Sequence, residues 1–68
     1  MNFLVETEQE EDERWIAEVV EIPGALAYGQ TRDKAVAKVQ ALALRVIADQ
    51  IEHGEIGPDL VSFSFAAA

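Results

Sequence analysis

Sixty-eight residues without a cysteine make one domain at most, and they exclude disulfide staples and thiol nucleophiles. Thirteen acids against five basic residues give a net charge of −8, which argues against direct nucleic-acid binding. A single histidine suits no structural zinc site, no run of about 18 apolar residues crosses a membrane, and no secretory signal opens the chain, so the expected location is cytoplasmic.

The residues from Asn2 to Glu8 alternate, with Phe3, Val5 and Thr7 on one face and Leu4 and Glu6 on the other, which predicts a strand. Gln9 to Glu13 reads as a solvated, acidic hairpin tip. It lacks the fixed ligand order of a calcium loop. Arg14 to Val20 is the second strand, antiparallel to the first, with Trp15, Ala17 and Val19 alternating against Ile16, Glu18 and Val20. Two readings of Trp15 stand: a core or edge aromatic beside the tip, or an exposed anchor for a partner.

Pro23 ends the second strand and Gly24 supplies a turn. Ala25 to Tyr28 is a short third strand, and Gly29-Gln30 leads to Thr31, the expected N-cap of a long helix ending at Gly54. On that helix Ala35, Val39, Leu42, Ala43, Val46 and Ile47 share a face, widened by Ile51. A second stripe, Ala37, Ala41, Leu44 and Ala48, lies elsewhere on its surface. It is either neutral surface alanine or the contact to another subunit, with Leu44 as anchor. His53 near the helix end reads as a solvated side chain.

A turn from Glu55 to Asp59 leads to a last strand, Leu60 to Phe65, with Val61, Phe63 and Phe65 facing one way. Ala66 to Ala68 is expected to fray. A crossover helix sets the fourth strand parallel beside the first. The expected fold is therefore α+β, in order β-β-β-α-β. Its four-stranded mixed sheet has spatial order 3-2-1-4 and is covered on one face by the helix. The fourth strand is an edge without charge or proline, so Phe63 and Phe65 join the helix stripe as candidate interface residues. A core this small, without staples, points to a homo-oligomer, a dimer or tetramer.

No phosphate-binding glycine loop occurs. Glu6 and Glu18 fall on adjacent strands and can approach across them, which keeps open an acid pair holding Mg²⁺ for phosphodiester cleavage. No cofactor is expected.

The segments Trp15-Ile16-Ala17-Glu18, Glu21-Ile22-Pro23-Gly24, Gly29-Gln30-Thr31 and Ala35 together resemble the HicB-like antitoxin family. The resemblance covers Phe3 to about Ile51. It implies a single HicB-like domain over residues 1–68, with a partial ribonuclease-H-like fold lacking that enzyme's active site. It also implies a function: binding a small RNA-cleaving toxin and blocking its catalytic surface. Trp15, Pro23, Gly24 and Thr31 carry over as structural positions. The acidic surface suits a basic toxin. Lys34 replaces the family's usual Glu, which removes the reciprocal capping box. The length leaves no room for the C-terminal DNA-binding domain of typical members, so operator binding does not carry over. Two alternatives stand beside this reading: a metal-dependent nuclease remnant, and a solitary structural or regulatory oligomer.

Overall fold

Residues 1–57 and 62–68 are described by a computed structural model of the chain. The elements run β1 (Asn2–Gln9), β2 (Trp15–Val19), β3 (Leu26–Gly29), α1 (Arg32–Glu52) and β4 (Ser64–Ala67). They form one mixed four-stranded sheet in spatial order β3-β2-β1-β4, with α1 covering one face. β2 is antiparallel to both β1 and β3, and β4 is parallel to β1.

Alternation in the strands decides which side chains meet the helix. Phe3 and Val5 of β1 and Ala17 and Val19 of β2 are buried, with Trp15, Ala27 and Phe65 packed beside them. From α1 come Ala35, Val39, Ala43 and Ile47, spaced four apart, which is one stripe of a 3.6-residue helix. Leu42 and Val46 flank the stripe half-buried, and Ile51 is exposed. With Ala25 this makes, among the described residues, a core of nine buried residues, four of them alanine. Such small side chains bring helix and sheet close together.

A close approach is at Gly29. A Cβ there would lie 2.5 Å from the Ala35 nitrogen and 2.9 Å from its Cα. β3 therefore runs to Gly29, one residue beyond the expected Tyr28, and pairs it with Trp15. The chain turns at once into α1. Thr31 is its N-cap, with its hydroxyl accepting from the Lys34 N–H at 3.1 Å. Asp33 lies in the first turn, where the helix dipole favours an acid. At the other end Gly54 takes φ +73°. Its N–H donates to the Ile51 carbonyl at 3.1 Å, and the Glu55 N–H donates to that of Gln50 at 2.8 Å. Together these bonds form the paired Schellman closure of a helix end.

The hairpins differ in how they close. In the acidic tip the Glu10 N–H donates to the Arg14 carbonyl at 2.7 Å, and Glu13 sits at φ +71°. The Asp12 carboxylate accepts from Arg14 Nε at 2.7 Å. That side-chain hydrogen bond is the first reason the Asp12 carboxyl is held below its ordinary range. In the second turn the Ile22 N–H donates to Val19 and the Ala25 N–H to Ile22, with Gly24 at φ +85° beside exposed Pro23.

The last strand departs from expectation. Regular pairing begins at Ser64 rather than Leu60; Leu60 and Val61 lie outside the described residues. Ala66 and Ala67, expected to fray, pair with Leu4 and Val5 instead. The register is set by β1 and by Phe65, which is opposite Phe3 with ring centroids 5.7 Å apart. Alanine has little intrinsic preference for a strand, but backbone bonds to an existing edge and one aromatic contact outweigh it. Phe63, expected to share Phe65's inward face, precedes the strand and is 43 % exposed. It meets Phe65 edge-on at 6.2 Å.

Candidate functional site

The face of the sheet opposite α1 carries the side chains that alternate with the core: Leu4, Glu6 and Glu8 of β1, Ile16 and Glu18 of β2, and Leu26 and Tyr28 of β3. Val20 continues that face, its N–H donating to the Leu4 carbonyl at 3.1 Å. The Leu4 N–H is taken by the Glu21 carboxylate at 2.9 Å, a side chain standing in for the next ladder bond. Among the described residues no element covers this face. Leu4 is 45 % exposed, Val20 47 %, Leu26 39 % and Tyr28 40 %.

Register places the acids together. Glu6 is directly opposite Glu18, and Glu18 is opposite Leu26; Glu8 is opposite Ile16, and Ile16 is opposite Tyr28. These residues, with Thr7, line a shallow depression across the three strands, except for Tyr28 at its margin. At its margin the Arg14 guanidinium lies 4.7 Å from the Tyr28 ring centre while its Nε is held by Asp12, and Arg32 Nε donates to the Thr7 hydroxyl at 3.3 Å. None of Glu6, Glu8 and Glu18 makes a salt bridge among the described residues. Among those residues no group of three His, Asp or Glu is placed to hold a metal ion.

Like charges directly opposite on neighbouring strands repel. Glu18→Lys, which sets an opposite charge across from Glu6, is therefore expected to stabilise the fold by about 0.5 kcal/mol. In a domain of this size that raises the melting temperature by roughly 3 °C, read by circular dichroism at low salt. No rise, or a fall, would mean that the two carboxylates do not interact.

The other candidate residues lie elsewhere. Ala37, Leu44 and Ala48 are exposed on α1 and Ala41 is half-buried, so the stripe faces away from the core. Phe63 is exposed and Phe65 is half-buried, at the outer strand. Trp15 is half-buried and packs against the core. The structure thus brings none of these to the open sheet face. From sequence only the approach of Glu6 and Glu18 on that face was expected; its apolar part was missed, although β2 carried the signal. Ile16 and Val20 lie opposite Ala17 and Val19, so β2 is apolar on both sides while a single helix covers only one. His53 accompanies Asp49 at the helix end, its Nδ1 3.3 Å from the carboxylate and both side chains mostly in solvent.

Among the described residues no helix is long and apolar enough to cross a membrane. Compared with protein-family models, with curated proteins and with solved structures, the chain matches none of them.

Proposed function

We propose that the chain is a non-catalytic protein-interaction module of the HicB-like kind. In this reading it self-associates and neutralises a small basic RNA-cleaving toxin in the cytoplasm. The observation that carries the reading is apolar surface left over on both sides of the fold. Among the described residues a nine-residue core coexists with eight large hydrophobic residues at 39–48 % exposure, including Leu44 on α1 and Leu4, Val20, Leu26 and Tyr28 on the sheet. Grouped exposed hydrophobics of this kind are the features that interaction surfaces use. The acidic hairpin and sheet face suit a basic partner.

Light scattering across a dilution series tests the self-association. A dimer or tetramer mass that persists at micromolar concentration, and that Leu44→Glu reduces to a folded monomer, supports the helix stripe as the interface. A wild-type monomer at that concentration overturns it. Co-expression with a candidate small basic RNA-cleaving toxin tests the toxin reading. Relief of growth arrest supports it, and persistent arrest leaves a solitary oligomer. The direct opposition of Glu6 and Glu18 favours one second reading, a metal-dependent nuclease remnant. Its mark is Mg²⁺-dependent RNA cleavage lost in Glu18→Gln.

A further inference from the structure

We propose that the open face of the sheet is a docking surface for a cationic amphipathic helix of a partner protein. The proposal deepens the interaction-module reading and rests on it, but it does not need self-association. Sheets bury a face against a helix or another sheet, and α1 already shows how this sheet accepts a helix on its other side. The open face offers the same geometry with different chemistry. Leu4 and Val20 lie at one end, and Ile16, Leu26 and Tyr28 across the strands. Between them stand Glu6, Glu8 and Glu18. Hydrophobic residues spaced three and four apart on a helix would meet the apolar groups, and lysines or arginines beside them would meet the carboxylates.

Charge selects among occupants. Stacking a second copy on its own equivalent face would bring the two sets of carboxylates together. A second copy's helix is a poor substitute, because Asp33, Asp49 and Glu52 offset most of Arg32, Lys34, Lys38 and Arg45. Nucleic acid and anionic lipid carry the sign of the face itself. A basic helix resolves both features, covering the leucines and neutralising an opposed acid pair that weakens the sheet on its own. Length also fits. β1 has eight residues, roughly 26 Å at the strand rise, and a helix of about 18 residues spans ~27 Å.

The probe is a synthetic peptide of about 18 residues, built from leucine and lysine with the leucines on one helical face. It is titrated into the isotope-labelled full chain. Controls are the same composition with leucines scattered, and the glutamate counterpart of the first peptide. The expected result is amide shifts at Leu4, Glu6, Ile16, Glu18 and Leu26, with neither control binding. Glu18→Lys is expected to weaken binding on the order of tenfold, and Leu26→Ser comparably, while Lys38→Glu on α1 leaves it unchanged. Since Glu18→Lys is expected to melt higher than the parent, weakened binding there is not unfolding. Shifts confined to α1 or to the acidic tip overturn the proposal, as does equal binding of the scattered peptide. So do shifts at the sheet face on concentrating the chain alone, which would give the face to a second copy. Light scattering on the same samples separates the two readings. A monomer that binds the peptide here sinks only self-association, and an oligomer that does not bind it sinks only the docking face.

Discussion

Gly29→Ala is expected to cost about 3 kcal/mol or more, at the upper end of what overpacking does to a core. A domain of this length has on the order of 3–10 kcal/mol in total, so the loss is a large fraction of its stability. The reason is space rather than backbone angle. The added methyl would enter the backbone of Lys34 and Ala35, 2.5–2.9 Å away, and no flexible side chain is there to yield. Relief requires the first turn of α1 to lift off the sheet, which would also pull Ala35 and then Val39 from the core. Urea denaturation gives the measure, as a fall in midpoint with little change in slope. Gly24→Ala is the comparison. Nothing lies within 4 Å of that site, so its cost comes only from φ +85° and should be about 1 kcal/mol. Equal losses at the two sites would contradict the tight contact at Gly29.

Phe3→Ala should cost about 3–5 kcal/mol. Phe3 is the largest buried side chain of the sheet, 7 % exposed, in a core otherwise made of valine, alanine and one isoleucine. Its removal leaves a hole that small neighbours cannot fill. It also takes away the ring against which Phe65 packs, and with it the side-chain contact that fixes the β4 register. Amide exchange should therefore show Ser64 and Ala68, whose N–H groups donate to the Met1 and Val5 carbonyls, losing protection before Val19 does. Phe63→Ala, which deletes an exposed ring meeting Phe65 only by its edge, should cost about 1 kcal/mol. A Phe3→Ala loss as small as that would mean the core does not depend on β1.

The strand order and the span of α1 were legible because both are written in local pattern. Thr31 and Gly54 punctuate a segment of good helix formers, and a helix between strands places the last strand beside the first. The starting point of β4 was not legible. Val61, Phe63 and Phe65 alternate more convincingly than Ser64, Phe65, Ala66 and Ala67. Yet an edge strand takes its register from the partner's backbone and from which ring reaches which. Gly29 was readable as a residue before a helix but not as a point of contact, since the closeness of Ala35 is a property of the packed layers. On the sheet, the opposition of Glu6 and Glu18 followed from a short hairpin. The apolar neighbours around the pair did not, because Leu26 and Tyr28 join them only once β3 has paired with β2.

The parallel pairing of β4 with β1 also orders events in time. The β1–β2, β2–β3 and β3–α1 contacts join elements adjacent in sequence, whereas Ser64 bonds to Asn2 across 62 positions. Pairing across so long a stretch of chain has a larger loop-closure cost than the neighbouring pairings, so β4 is expected to join after the hairpins, which pulse-labelling hydrogen exchange checks. Until it closes, the outer edge of residues 2–5 presents bare N–H and C=O groups, and any chain's Ser64–Ala67 segment makes the same bonds there. The copy supplying that strand need not be the copy that owns the edge. An exchange of the last strand between two copies would keep the same β1–β4 ladder bonds, and an interlocked pair in size-exclusion chromatography of refolded chain would reveal it.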